Sequence, residues 1–398
     1  MLLFTSLLLV AYDDPRIIFR GRWDLSDPLS AAAAWPMSSF ALTANGSSSV
    51  SANLTAPGDG ARLLVRVDGV DHGYVEMAKG APTRTYPLAT GLNPQQPHQI
   101  EVFKVSEDNT FGKGPPGVLR LHSVQTDGTI VRPTHVAAAP RRLEFIGDSD
   151  TAGWCADGKP GGSDRPNRVE DAYVTWARQL AHKLQVVDGE VMVEAISGYG
   201  VTKHSGRLQD WYTSTLAFAP SAPRWNFSTW VPDAVVLLIG PNDESTAGTI
   251  KGMAPIERAS VEGAEAGDAG EEMSRLVRSD DEMSNFVKSY LELCHVVASS
   301  YASAPTPPKL VHVCGGSING LDPCDDIQKA STHFNKHWRS SATRSYYTSI
   351  TTAHWHQINR GSGGYSGCDS HYGPRGHGVL AADIAPQLAQ IMGWSVHD

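Results

Sequence analysis

The sequence lacks an excess of positive charge and any long basic run. Its 398 residues include 33 Lys and Arg against 42 Asp and Glu, which gives a formal net charge of −9. Proteins that bind nucleic acid through its phosphates normally carry a basic patch. We therefore expect no nucleic-acid partner.

Long apolar runs are also missing after the first dozen residues. A helix needs about 20 apolar residues to cross a bilayer, so we expect a soluble protein without a membrane partner. Hydrophobic residues still make up 41% of the chain and charged residues only 19%. This composition excludes a wholly disordered chain. The length suggests two or three domains of roughly 150 residues each, or one large domain with an appendage.

Cysteine is scarce. Five cysteines are too few for a fold built on disulfides, and no CxxC pair suggests a zinc site. Cys314 and Cys324 could close a short loop, and Cys155 could meet Cys368 if the fold brings them together. The odd number leaves at least one thiol free unless it pairs with another chain.

Residues 1–11, MLLFTSLLLVA, have the apolar length of a secretory leader but not its basic start. The alternative is a buried N-terminal strand. Three acceptor sequons for N-glycosylation, at Asn45, Asn53 and Asn226, favour the leader. We expect a secreted glycoprotein.

The character of the sequence changes near residue 140. Before it, short apolar runs alternate with turn residues, as at 63–67, 100–105 and 118–121. Many short strands without a helical period predict a β-sandwich or jelly roll over residues 12–135. Residues 132–142 are the predicted linker.

From residue 140 to 398, apolar strands alternate with helices, which predicts an α/β domain with a parallel sheet covered by helices on both faces. The acidic stretch at 249–281 is expected to be a solvated insertion. Asp171 is expected to cap the first long helix. The predicted strands are 143–146, 191–196, 234–239 and 310–313, and the other predicted helices cover 286–297 and begin at 377.

Polar clusters follow three of these strands, at 147–151, 197–200 and 240–243, and a fourth precedes the last helix at 367–371. Each cluster alone is typical of a turn. Doubly wound sheets, however, bind ligands outside the carboxyl ends of their strands. Four clusters in this order therefore predict a functional site.

The residue types in these clusters suit acyl transfer. Ser149 is the candidate nucleophile, His371 its base, and Asp369 the acid that orients the histidine. The N–H groups of Ser149 and Gly198 and the side-chain amide of Asn242 are the candidate donors to an oxyanion.

The same blocks resemble the SGNH (GDSL-type) hydrolase superfamily, in which Ser149, Gly198, Asn242 and His371 would hold these roles. The resemblance implies a flavodoxin-like three-layer fold for residues 140–398. Most members carry D-x-x-H, which would place the acid at position 368. Here that position is Cys368, and the nearest acid is Asp369.

The Gly-Cys-Asp-x-His arrangement at residues 367–371 resembles carbohydrate esterase family 2, which has it before its last helix. That family also has an N-terminal jelly roll. Residues 17–24 and 197–200 also look like that family's blocks, although Ser370 and Tyr372 differ from it. The resemblance implies a serine esterase that removes O-acetyl groups from xylan, mannan or another cell-wall glycan without a metal or organic cofactor. In some members a backbone carbonyl orients the histidine in place of the acid.

Three alternatives remain open: an esterase or lipase acting on another small acyl ester, a non-catalytic carbohydrate-binding protein, and an acyltransferase. Trp154 and Tyr199 are candidate substrate contacts, since aromatic faces suit sugar rings, although Trp154 could equally pack in the core. His354 and His356 form an H-x-H pair without an evident third metal ligand, and His377 is expected to be structural.

Overall fold

The computed structural model describes residues 7–58, 60–108, 118–133, 141–160, 166–202, 206–244, 283–315, 323–351 and 365–397. The predicted acidic insertion, the pair His354 and His356 and most of the predicted linker lie outside these residues. Among the helices described, none is long and apolar enough to span a bilayer.

Two antiparallel sheets make up the described N-terminal part. Their strands are β1 (Leu8–Ala11), β2 (Ile18–Arg20), β3 (Ala31–Ala33), β4 (Ser39–Asn45), β5 (Ser49–Thr55), β6 (Ala61–Val67), β7 (Val70–Met77), β8 (Arg84–Thr90), β9 (His98–Lys104), β10 (Leu119–Thr126) and β11 (Thr129–Val131). One sheet has the order β1-β10-β5-β8, with β3 also paired to β10. The other has the order β11-β4-β9-β6-β7, with β2 also paired to β4.

The two sheets enclose one apolar core. Strand β5 alternates strictly between buried and half-buried residues, as a strand with one face in a core must. Its Val50 and Leu54 share that core with Leu63 and Val102 of the second sheet. The all-β character of this region is thus confirmed, and the jelly-roll connection of the strands stays a prediction.

The start of the chain contributes an edge strand to this region. Strand β1 pairs antiparallel with β10. Val10 is buried, whereas Leu8, Leu9 and Ala11 are exposed. Residues 8–11 therefore form a strand, as the alternative to a leader predicted, but this strand is mostly exposed and not buried. The secretory leader stays a prediction.

The second sheet is buried on its outer face as well, because that face packs on the next domain. Strand β9 has no exposed residue. Leu64, Phe103 and Val105 belong to the same apolar cluster as Leu143 and Trp176 of the C-terminal part. The cores of the two domains are therefore continuous.

A five-stranded parallel sheet organises the C-terminal part. Its strands are β12 (Leu143–Gly147), β13 (Val191–Ala195), β14 (Ala234–Leu238), β15 (Lys309–Cys314) and β16 (Ser345–Ser349), in the order β13-β12-β14-β15-β16. In sequence order this is 2-1-3-4-5, the flavodoxin-like order. The sequence prediction is confirmed.

Helices cover both faces of this sheet. They are α1 (Ser149–Ala152), α2 (Pro166–Val169), α3 (Trp176–Lys183), α4 (Pro241–Glu244), α5 (Asn285–Ser300), α6 (Cys324–His337) and α7 (Pro374–Met392). Phe145 and Val236 face the cluster that contains residues of α3 and α7, whereas Ile146 and Val235 face the cluster that contains residues of α5 and α6. Because successive strand residues point to opposite faces, both sets of buried side chains hold the three layers together.

Two predicted helix boundaries need correction. Asp171 caps a single 3-10 turn, Ala172–Val174, and helix α3 begins only after Thr175, whose backbone is extended. The last helix begins at Pro374, before the predicted start at 377. Proline is favoured in the first turn of a helix because its fixed φ fits and its missing N–H would have no partner there.

Candidate active site

Ser149 lies on a tight turn between β12 and α1. The Asp148 side chain caps this helix by accepting the Asp150 N–H at 3.1 Å. The turn needs glycine at position 147, because a Cβ there would lie 2.0 Å from Oγ1 of Thr151. The strand thus delivers Ser149 to the carboxyl edge of the sheet, next to the N–H groups of a helix start.

His371 contacts this serine. Its Nε2 lies 2.8 Å from Oγ of Ser149, and its Nδ1 lies 2.7 Å from the main-chain oxygen of Asp369. A carbonyl oxygen can only accept, so Nδ1 carries the proton and Nε2 is free to accept one. This tautomer is the one a general base for Ser149 needs.

Asp369 differs from the expected triad acid in the atom that it offers. Its main-chain oxygen orients His371, while its carboxylate accepts a hydrogen bond from Nε1 of Trp154 at 3.1 Å. The cause is the backbone: residues 368–371 form a turn closed by the His371 N–H and the Cys368 carbonyl, and Asp369 and Ser370 have φ of 50° and 61°. Positive φ at both central positions is the type I′ turn.

A disulfide joins the serine loop to the histidine loop. Cys155 and Cys368 are bonded across a sequence separation of 213 residues, as the sequence analysis considered. Cys155 also accepts the Cys368 N–H on its main-chain oxygen at 3.2 Å. A second disulfide joins Cys314 and Cys324, and Cys294 is a buried free thiol.

The turn that carries Gly198 follows strand β13. The Tyr199 N–H donates to the Ile196 carbonyl at 3.2 Å. Gly198 has φ of +78°, which is the third position of a type II turn and favours glycine. Tyr199 donates the hydrogen bond that closes this turn, so the Gly198 N–H takes no part in it.

Asn242 and Asp243 hold the far side of this loop from the end of β14. Nδ2 of Asn242 donates to the Tyr199 carbonyl at 2.8 Å and lies 3.4 Å from Oδ2 of Asp148. The buried carboxylate of Asp243 accepts the N–H groups of Val201 and Thr202 at 2.9 and 2.7 Å. The Asn242 amide therefore touches both the serine turn and the Gly198 loop.

Burial dominates the electrostatics of the carboxyls next to Ser149. It raises the pKa of Asp148 to about 8, with the charge of Asp150 acting in the same direction and the Asp150 N–H and His371 acting against it. It also raises the pKa of Asp150 to about 7. Both carboxyls therefore hold a proton far more readily than ordinary aspartates do.

The two aromatic candidates stand differently in the structure. Trp154 is half-buried, and its indole is held by Asp369 beside His371. The half-buried ring of Tyr199 packs edge-on against Phe218 at 5.8 Å. Trp154 is thus the aromatic side chain that belongs directly to the serine–histidine region.

His377 does not share the position of His371. It is buried in α7, and burial lowers its pKa to about 3. Its ring packs edge-on against Tyr372 at 5.7 Å. Its burial and lowered pKa are consistent with the structural role predicted for His377, which stays a prediction.

Sequence reasoning missed one residue near the site. Glu107, from the N-terminal part, accepts the Ser197 N–H on Oε2 at 2.9 Å. It lies 90 residues from its partner and in no motif. Nothing in the local pattern could have found it.

Known proteins share this architecture. Residues 145–379 match the family model of the GDSL-like lipase/acylhydrolase family, and residues 19–113 match the carbohydrate esterase 2 N-terminal model. The cellulase/esterase CelE of Acetivibrio thermocellus is 27% identical over 398 residues, 96% of this chain and 40% of that protein. An acetylxylan esterase/glucomannan deacetylase of Cellvibrio japonicus is 26% identical over 249 residues, 61% of this chain and 65% of that protein. The chain thus spans less than two thirds of the length of these curated relatives.

Solved structures give the same result for the fold. A family two carbohydrate esterase from Cellvibrio japonicus has a TM-score of 0.71 at 21% identity, over 98% of this chain and 99% of that chain. An acetyl xylan esterase from the rumen bacterium Butyrivibrio proteoclasticus has a TM-score of 0.73 at 15% identity, over 98% and 99% of the two chains. The match over residues 145–379 covers more than half of the sequence: this chain belongs to the GDSL-like lipase/acylhydrolase family and carries a carbohydrate esterase 2 N-terminal region ahead of the matched segment.

Proposed function

We propose that the protein is a serine esterase that removes O-acetyl groups from carbohydrate through an acyl-enzyme intermediate. The observation that carries this proposal is the 2.8 Å contact between Oγ of Ser149 and Nε2 of His371. The proposed donors to an oxyanion are the Ser149 N–H, the Gly198 N–H, which takes no part in the hydrogen bond of its own turn, and the Asn242 amide, whose long 3.4 Å contact with Asp148 would give way to the oxyanion.

The proposed reaction has two halves. His371 Nε2 takes the proton of Ser149 Oγ as that oxygen attacks the acetyl carbonyl, and the resulting oxyanion is stabilised by the N–H groups of Ser149 and Gly198 and the amide of Asn242. The protonated His371 then gives its proton to the leaving sugar oxygen. In the second half, His371 activates water, which attacks the acetyl-serine and releases acetate.

A carbohydrate substrate is supported by the relatives and by one side chain. The relatives carry names such as acetylxylan esterase and glucomannan deacetylase. One structural neighbour, from Clostridium thermocellum, was solved in complex with cellohexaose. In this chain Trp154 offers a half-buried indole beside the catalytic pair, and aromatic faces suit sugar rings. Acetylated xylan or mannan is accordingly the proposed partner.

Secretion is part of the proposal. The two disulfides suit an oxidising compartment. Two of the three sequon asparagines, Asn45 and Asn226, are exposed, whereas Asn53 is half-buried in β5. Glycosylation at Asn45 and Asn226 is therefore expected in a host that carries the modification, and intact-mass measurement before and after glycosidase treatment tests it.

The deciding experiment compares hydrolysis of 4-nitrophenyl acetate, butyrate and octanoate by wild type and Ser149→Ala. We expect a preference for acetate, and a loss in kcat of at least roughly 10³-fold in the variant. Acetylated xylan and glucomannan with detection of released acetate follow.

The other outcomes separate the alternatives. Activity that rises with chain length would indicate a lipase-like enzyme. Activity that survives Ser149→Ala, or no activity on esters and acetylated glycans alike, would overturn the catalytic proposal and favour a binding protein. Acetyl transfer to an added free sugar in place of hydrolysis would indicate an acyltransferase.

A further inference from the structure

Residues 105–108 follow β9 and run from the N-terminal sheet onto the catalytic domain. The Val105 carbonyl accepts the Ala172 N–H at 2.8 Å. The Glu107 N–H donates to Oε1 of Glu170 at 2.8 Å. Both ends of these contacts are buried, so the segment is attached firmly to the domain that it meets.

The start of this segment is anchored equally well in its own domain. Nζ of Lys104 is fully buried, lies 2.8 Å from Oδ1 of the buried Asp108 and donates to the Ala34 carbonyl at 2.9 Å. A buried charge pair with these hydrogen bonds is costly to disturb. The backbone on both sides of Glu107 is therefore held in place.

The Glu107 side chain ends on the main chain of the Gly198 turn. Glu107 is 4% exposed, and its Oε2 accepts the N–H of Ser197 at 2.9 Å. Ser197 is the second residue of the turn that Ile196 and Tyr199 close. A carboxylate that accepts a backbone N–H makes a strong, charge-assisted hydrogen bond. It fixes the peptide that directly precedes the Ser197–Gly198 peptide.

We infer that Glu107 is a positioning residue of the N-terminal domain that orients the Gly198 N–H in the oxyanion hole. This inference rests on the proposed function. Asn242 and Asp243 hold the loop from the side of β14, and Glu107 holds it from the opposite domain. Support from both sides fixes the Ser197–Gly198 peptide, and a donor stabilises an oxyanion only when its direction is set before the reaction. The N-terminal domain thus takes part in catalysis without touching the substrate.

The test compares kcat and KM of wild type, Glu107→Ala, Glu107→Gln and Glu107→Asp on 4-nitrophenyl acetate. We expect Glu107→Ala to lower kcat by roughly 10- to 100-fold and to leave KM within about twofold, because the donor acts on the transition state. Glu107→Gln keeps an acceptor oxygen at the same reach and should stay within about fivefold of wild type. Glu107→Asp withdraws the oxygen by one bond length and should fall between the two.

Hydrogen–deuterium exchange supplies a readout that does not depend on activity. The peptide covering residues 196–202 should exchange faster in Glu107→Ala than in wild type or Glu107→Gln. Unchanged exchange together with unchanged kcat in the alanine and aspartate variants would overturn the inference. Should the alanine variant not fold, the glutamine and aspartate variants decide the question, since both keep a polar side chain at this buried position.

The matched control breaks a different contact between the domains. Arg66 lies 2.8 Å from Asp188 across the domain boundary, and Arg66→Gln should lower the thermal midpoint without changing kcat. Equal losses of kcat in Arg66→Gln and Glu107→Ala would mean that any loosening of the boundary matters, and would overturn the specific role of Glu107.

The same experiment keeps this inference separate from the proposed function. Wild-type hydrolysis that is lost in Ser149→Ala but unchanged in Glu107→Ala overturns only the role of Glu107. An inactive wild type overturns the proposed function and with it a role of Glu107 in catalysis, while the exchange data still show whether Glu107 holds the loop.

Discussion

Arg22 and Glu107 are both buried charged residues of the N-terminal domain, 1% and 4% exposed, and both reach into the catalytic domain. Arg22 ends on side chains of the sheet: its guanidinium lies 2.9 Å from Glu144 and 3.1 Å from Glu194. Glu107 ends on the main chain of the Gly198 turn. From this difference we expect the Arg22 contact to serve stability and the Glu107 contact to serve the geometry of the proposed active site.

The surroundings of Arg22 explain why a charge can be buried there. Burial alone would lower the pKa of its guanidinium, but the carboxylates of Glu194 and Glu144 outweigh this and raise it. Tyr212 and Tyr301 donate to the second oxygen of Glu144 at 3.1 and 2.8 Å. Burial raises the pKa of Glu194, and the charge of Arg22 acts against this rise.

The largest effect should come from breaking this network. Arg22→Ala leaves Glu144 buried without its cation, which we expect to cost about 3–5 kcal/mol in the free energy of unfolding. Urea unfolding measures the loss. The protein that remains folded should keep a kcat near that of wild type, because the hydrogen-bond and charge partners of Arg22 among the described residues lie outside the Ser149, Gly198, Asn242 and His371 loops.

The control is Arg16→Ala, which removes an arginine paired with Asp14 near the surface. Its unfolding midpoint should shift far less, since water screens the exposed pair. Matching shifts in the two variants, or a kcat loss in Arg22→Ala as large as in Glu107→Ala, would erase the distinction between the two contacts.

Asp369 allows a second comparison, between its main-chain oxygen, which faces His371, and its carboxylate, which faces Trp154. Because its main-chain oxygen orients His371, Asp369→Asn should lower kcat by less than about tenfold, whereas the loss of a true triad carboxylate costs about 10⁴-fold. Asparagine tolerates positive φ, so the turn should survive. A pH–rate profile for both proteins measures the effect.

Trp154→Phe is the companion variant, because it removes the donor to the Asp369 carboxylate. Its effect on acetate ester hydrolysis should be similar and not additive with that of Asp369→Asn, since both act on one contact. A loss near 10⁴-fold in Asp369→Asn alone would restore the carboxylate to the role predicted from sequence.

The last comparison concerns the pH dependence of stability. Burial raises the pKa of Asp148 to about 8, above its value of about 3.9 in an unfolded chain. The folded state then binds more protons than the unfolded state, so stability falls as pH rises through this window. Asp148→Asn cannot ionise, and it should gain thermal midpoint over wild type at pH 8 and gain little at pH 4. An equal shift at both pH values would contradict the raised pKa.

Local patterns revealed much of the catalytic domain. The strands around 143, 191, 234 and 310 were predicted because parallel strands buried on both faces are continuous apolar runs. Helix α6 and strand β16 were not predicted. Strand β16, SYYTS, is half-polar and only partly buried, so it lacks the apolar run that marks the other four strands, including the opposite edge strand β13.

The sequence by itself determined the candidates Ser149, Gly198 and Asn242, because short-range sterics place glycine and polar residues at the turns that follow buried strands. It determined His371 through the polar cluster that precedes the last helix. Only the tertiary structure decided which atom of Asp369 faces the histidine, since that depends on the two positive φ angles of its turn. It also decided the partner of Glu107. A side chain's partner across a domain boundary depends on where two separate backbones meet, and no local pattern encodes that meeting.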